Sequence, residues 1–325
     1  MPLGAIGEGT VTVRELSANG EVLKEMAVAT FKAEVKAEPE RDGVNVVRTA
    51  GIGDTLFATP VAAELRRQGK YVVFRCPHER IPLVRHVMDE WRPVMGWEPR
   101  EGDVDLREVA DDGKPNDHLN RVDAYCLHAG IAPQDRRFRV MPTAGHILQA
   151  QALRDALVKP GGILYAVCPQ SAVQERCMTS TGSILTALNE VGVAMLVTPE
   201  KHPMDSPGIY RRTRVDDLIK CLLAADAVVA ADSGPAYVAA ALSKPVVILF
   251  HDVNPLLRLK YQAGWYAIRQ GTDSSGEKVQ TCLDQLMAYP TRCCLEENGT
   301  PFWFSEPPTW YNDATTINGS TGLKE

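Results

Sequence analysis

The stretch Val44-Asn45-Val46-Val47-Arg48-Thr49-Ala50-Gly51-Ile52-Gly53-Asp54 decides the fold. A short β-branched run ends in a glycine-rich turn. An amphipathic segment follows over residues 60–68, with Pro60 suited to a first helical turn. Residues 71–74, Tyr71-Val72-Val73-Phe74, make the next strand. Strand, glycine-rich turn, helix and strand in that order are the βαβ signature of a parallel sheet.

The same alternation returns from residue 163. Strands are predicted at 163–167, 194–198, 227–230 and 246–250. Helices are predicted near 182–191, 215–224, 236–242 and 278–287, the last closing the domain. Helices are also expected at about 117–130 and 144–158, and residues 93–114 are turn-rich. Lys159-Pro160-Gly161-Gly162 reads as a linker. The chain has 325 residues, a length that suits two domains. The expected architecture is α/β: two Rossmann-like domains with parallel sheets facing a cleft, plus a small N-terminal β-hairpin extension. The expected boundaries are 1–40 for the extension, 41–160 and 161–306 for the two domains, and 307–325 for a partly disordered tail. In the extension, residues 10–16 and 22–28 alternate around Ala18-Asn19-Gly20, a hairpin signal, and residues 31–35 suggest a third strand.

The net charge of -6 argues against a broad nucleic-acid-binding face. The pairs Arg66-Arg67, Arg136-Arg137 and Arg211-Arg212 read as solvated faces. The eight cysteines contain no CxxC pair, which fits reduced thiols in a cytoplasmic protein. Cys282, Cys293 and Cys294 fit no zinc spacing. No long apolar stretch predicts a membrane span.

Ligands of open parallel sheets bind beyond the carboxyl ends of the strands. Three loops there carry candidate chemistry. Asp232-Ser233-Gly234-Pro235 follows a buried strand and opens a helix, whose unpaired N–H groups suit an anion. Asp232 or Ser233 as a simple helix cap is the alternative. In Gly51-Ile52-Gly53-Asp54, Asp54 either caps a helix or projects into the cleft as a general base. In Pro169-Gln170-Ser171-Ala172, with Arg176 five residues beyond Ser171, the arginine either faces solvent or neutralises a diphosphate.

These three loops, in this order, resemble glycosyltransferase family 9, the ADP-heptose:lipopolysaccharide heptosyltransferases. The likeness rests on residues 46–60, on Asp232-Ser233-Gly234-Pro235 with residues 239–247, and on Val122-Asp123-Ala124-Tyr125 with Ala129-Gly130-Ile131. It covers roughly residues 44–290. The resemblance implies a GT-B fold, with acceptor on the first domain and a nucleotide-sugar donor on the second. It implies inverting transfer without a required metal or other cofactor. Asp54 matches the family's proposed base. Asp232, Ser233 and Gly234 match its donor-phosphate loop. Ser171 and Arg176 lie near its diphosphate-facing segment, and Glu200 lies near a ribose-contacting glutamate.

Two positions depart from the family. Tyr237 stands where it often has histidine, and His251-Asp252-Val253-Asn254 where it often has a Gly-Pro-Thr-like loop. Both leave the donor, ADP-heptose included, open. The acceptor is equally open among a lipopolysaccharide core sugar, a glycoside, a protein and a modified nucleobase. A nucleotide-sugar epimerase or hydrolase is the rival enzyme. A non-catalytic nucleotide-sugar-binding or structural protein, docking through the N-terminal hairpin, is the rival outside enzymology.

Overall fold

The computed structural model describes residues 6–16, 22–34, 43–109, 116, 118–198, 209–211, 214–251, 253–270, 274–297 and 300–304. The chain divides into two compact units, Met1–Gly43 and Val44–Glu325. The first is a hairpin of β1 (Ile6–Leu16) and β2 (Val22–Glu34), antiparallel from Ile6↔Glu34 to Leu16↔Val22. The pairing register shifts between Val11 and Thr12 and between Glu15 and Leu16. Phe31 lies inside β2, so the expected third strand is instead the far end of the second. The turn residues and the tail after residue 304 lie outside the described residues.

The larger unit opens with β3 (Val44–Val47), α1 (Ile52–Phe57), α2 (Thr59–Arg67) and β4 (Val72–Arg75). Then come α3 (Ile81–Val84), β5 (Glu90–Arg92), β6 (Val104–Asp105), α4 (Arg121–His128) and α5 (Ala144–Leu157). The first sheet has the order β5-β4-β3-β6, all parallel. The second half runs β7 (Leu164–Cys168), α6 (Thr181–Val191), β8 (Val193–Thr198), β9 (Ile209–Arg211), α7 (Val215–Ala224) and β10 (Ala227–Ala231). It continues with α8 (Gly234–Ala241), β11 (Val246–Phe250), α9 (Leu256–Leu259), β12 (Trp265–Arg269), α10 (Gly276–Ala288), β13 (Cys293–Glu297) and β14 (Thr300–Phe304). Its sheet has the order β14-β13-β12-β11-β10-β7-β8-β9, parallel except where β14 meets β13.

Both sheets are Rossmann-like. Each starts in its middle, grows outward for three strands, and then crosses back to the other side of its first strand. The crossing points fall between β3 and β6 and between β7 and β10, where the crevice of such sheets lies. Every residue of β7, β10 and β11 is buried. That is the condition of a parallel strand covered on both faces, and it is why these strands are continuous apolar runs. α7 buries Val215, Leu218, Ile219 and Leu222, spacings that form one helical stripe, and places Asp216 and Asp217 in its first turn. Five of the eight residues of α8 are alanine or valine, and Pro235–Ala241 are all buried. Its small side chains let it lie between its own sheet and α1.

Three further expectations are corrected. The Gly51 turn is not a loop before a helix at Pro60. The helix starts at Ile52 with Asp54 in its first turn, breaks at Ala58, and restarts as α2. The helix near 278–287 does not close the domain, because β13 and β14 follow it onto the sheet edge. One core runs through both halves of the unit, from Val46 to Leu295. Phe57 of α1 makes edge-on contacts with Phe138 and Tyr237, each at 5.1 Å between centroids. Arg136, expected on a solvated face, instead bonds Asp123 and, at 2.9 Å, Tyr261, tying the halves together. Asn120, which caps α4, donates to the Leu256 carbonyl at 2.8 Å across the same seam.

Candidate active site

The segments that leave β3, β7, β10 and β11 meet around a cavity of about 1050 Å³. Gly51, Gly53 and Asp54 line it from the first half. Ser171, Arg176, Asp232, Ser233, Gly234 and Tyr237 line it from the second. The structure therefore brings every described candidate residue to one place. Glu200 lies outside the described residues. Arg80, Arg121 and Arg258 also line the cavity, and sequence reading did not single them out. Of the charged side chains lining it, four are arginines and two are aspartates, so the wall is net cationic in a chain of net charge -6. Such a wall selects an anion.

Asp54 does not serve as a helix cap. Its carboxylate faces the Arg48 Nη2 at 3.3 Å and accepts from the Tyr125 hydroxyl at 3.4 Å. Its side chain is 27% exposed, whereas that of Arg48 is fully buried. Arg48 follows β3, and its Nη1 donates to the carbonyls of Leu106, at 2.6 Å, and Arg107, both just past β6. The guanidinium thus spans the crossing point of the first sheet and holds Asp54 at its rim. It also lies 5.4 Å from the Tyr125 ring centre, a cation–π contact. The signal for Arg48 was present in the sequence: a charge ending an apolar strand.

The turn after β10 does not cap its own helix either. Ser233 precedes α8 without a side-chain cap, and its hydroxyl donates to the Ala231 carbonyl at 3.3 Å. The N–H groups of Ser233 and Gly234 have no acceptor among the described residues. They are the partial positive end of α8, and both residues line the cavity. A Cβ on Gly234 would lie 2.8 Å from the Cβ of Ile52, so glycine here also admits α1. Gly53 answers it from the other side: a Cβ there would lie 2.6 Å from the Tyr237 ring.

Tyr237 lines the cavity, and its hydroxyl is engaged within the protein. It donates to the Asp232 carboxylate. Burial, then the Asp232 charge, pushes the phenol well above its ordinary pKa, and Arg258 opposes that push. That shift keeps the proton on the Tyr237 hydroxyl. Tyr237→Phe removes the donor and leaves a nearly buried carboxylate one partner short. The expected loss of stability is about 1–3 kcal/mol in urea unfolding. Unchanged stability would show that the bond contributes nothing.

Two Rossmann-like parallel sheets sharing a ligand-sized cavity at their carboxyl ends make up the GT-B architecture. Residues 198–287 match the family model described as Glycosyltransferase family 9 (heptosyltransferase). A comparison with curated proteins finds no match. Among solved structures, a glycosyl transferase family 9 protein from Veillonella parvula DSM 2008 is similar at 14% identity and TM-score 0.58, over 77% of this chain and 99% of that one. TibC, an iron-containing dodecameric glycosyltransferase from enterotoxigenic E. coli H10407, is similar at 14% identity and TM-score 0.55, over 87% and 92%. E. coli ADP-heptose lps heptosyltransferase II is similar at 13% identity and TM-score 0.51, over 75% and 98%. At these identities the likeness is one of fold. No three His, Cys, Asp or Glu side chains that could hold a metal ion converge among the described residues.

Proposed function

We propose that the protein is an inverting, metal-independent glycosyltransferase that moves a sugar from a nucleoside-diphosphate sugar to an acceptor hydroxyl. One observation carries the reading. A carboxylate of the first half, Asp54, and the cationic α8 turn with Arg176 of the second half line the same cavity. Asp54 takes the acceptor proton as the new C–O bond forms at the anomeric carbon. The bond to the diphosphate breaks, and its electron pair leaves on a phosphate oxygen. Arg176 and the N–H groups of Ser233 and Gly234 receive that charge, the role an ion fills elsewhere. Attack on the face opposite the leaving group inverts the anomeric centre.

ADP-heptose is the first donor to try, because TibC has been solved in complex with ADP-D-beta-D-heptose. The family match begins at residue 198 and so does not reach Asp54. The acceptor is thus left open among a core sugar of lipopolysaccharide, a glycoside, a protein and a modified nucleobase. The separate hairpin unit, Met1–Gly43, is the proposed docking element for it. The division into domains at 41–160 and 161–306 belongs to the same proposal, as does a cytoplasmic location. All eight cysteines are free, and no helix among the described residues is long and apolar enough to cross a membrane.

A thermal-shift panel of nucleoside diphosphates, followed by donor turnover with and without acceptors, tests the reading. Acceptor-dependent release of nucleotide is expected, with the anomeric centre inverted by NMR. Equal release without acceptor would make the protein a hydrolase or epimerase. No shift with any nucleotide would leave it a binding or structural protein.

A further inference from the structure

We propose that Arg258 is a second cation for the leaving diphosphate, acting with Arg176 from the same cavity wall; this rests on the transferase reading above. Sheet order sets the arrangement. β11, β10 and β7 are adjacent and parallel, so the segments that follow them reach the cavity rim side by side. The middle segment is Asp232, Ser233 and the N-terminus of α8. The β7 segment brings Arg176, and the β11 segment brings Arg258 on α9. All three line the cavity.

The state of the two side chains agrees with that role. Many arginines of this chain sit against an aspartate or glutamate, as Arg107 does with Asp105 at 2.6 Å and Arg154 with Asp226 at 2.7 Å. Arg176 and Arg258 have no such carboxylate among the described residues. The hydrogen bond of the Arg258 guanidinium is a long one, 3.4 Å, to the neighbouring Leu257 carbonyl. A half-buried cation without a carboxylate, beside a helix N-terminus that is also positive, is unfavourable until an anion arrives. A guanidinium offers a planar fork that matches two phosphate oxygens. As the bond from the anomeric carbon to the diphosphate oxygen breaks, charge grows on an oxygen within the cavity that both guanidiniums line, and the transition state gains most.

The alternative is that Arg258 merely balances the buried Asp232–Tyr237 pair. Calorimetric binding of ADP, UDP, GDP, CDP, inorganic pyrophosphate and the matching monophosphates separates the two. For the nucleoside diphosphate that wild-type protein binds best, Arg258→Ala and Arg258→Gln are expected to lose roughly 10- to 100-fold in affinity. Arg258→Lys is expected to recover part of it. Affinity for the monophosphate is expected to fall less than about threefold, with the melting temperature of the unliganded protein unchanged. If the alanine variant does not fold, the glutamine variant answers the same question. Diphosphate affinity within about twofold of wild type in those variants, with a tenfold or greater loss in Arg176→Ala, would overturn the second cation and leave the transferase reading standing. Equal losses for monophosphate and diphosphate would overturn it too. Failure of wild-type protein to bind any diphosphate or pyrophosphate would end both.

Discussion

Asp54→Asn is expected to lower turnover by roughly 100- to 10,000-fold while leaving donor affinity nearly unchanged. The amide is close to isosteric and can still accept from the Tyr125 hydroxyl at the position where the carboxylate does, 3.4 Å away. What it cannot do is hold a proton taken from the acceptor. The proposed donor contacts lie on the other half of the unit, in the segments after β7, β10 and β11, and the substitution replaces none of them. The measurements are kcat with saturating donor and acceptor, and donor affinity by calorimetry on the same preparation. Full turnover in a folded Asp54→Asn variant would remove Asp54 from the chemistry. A large loss of donor affinity would mean instead that Asp54 binds donor, and the assignment of the halves would have to be reversed.

The sequence made one kind of information legible and hid another. β10 and β11 showed because strands covered on both faces are unbroken apolar runs, and α7 showed because its buried residues recur at helical spacing. β5, Glu90–Arg92, is three residues long and only half-buried, so no run marks it. β6 is two residues long inside a turn-rich stretch. β13 was hidden by chemistry. It carries Glu296, which is 2% exposed and bonded to the Tyr266 hydroxyl at 2.6 Å and to Lys278 at 2.9 Å. A glutamate is readable as a strand residue only once partners from β12 and α10 are in place. The site divides in the same way. Asp54, Ser233 and Gly234 stood in local patterns, a strand followed by a glycine turn, that carry their own meaning. Arg80, Arg121 and Arg258 come from three unrelated segments, and only the folded sheets bring them to one wall.

Arg48→Met tests the support beneath that wall, with the largest expected effect on stability, about 3–5 kcal/mol. Methionine fills much of the volume but satisfies neither the Leu106 nor the Arg107 carbonyl, and it leaves the Asp54 charge without its cation. Arg48 is fully buried, so water does not replace what is lost. Lysine is expected to be a poor substitute, since one ammonium cannot span a carboxylate and two carbonyls as a fork does. Urea unfolding of Arg48→Met, Asp54→Asn and the double variant closes a cycle. In the Asp54→Asn background there is no carboxylate to strand, and the methionine substitution is expected to cost measurably less. The same cost in both backgrounds would mean that Arg48 only braces the two strands. Asp54 would then be positioned by α1 alone. A coupled cost places the arginine in a double task, joining β3 to β6 and aiming the carboxylate at their rim, which explains why a full positive charge is buried at the end of an apolar strand.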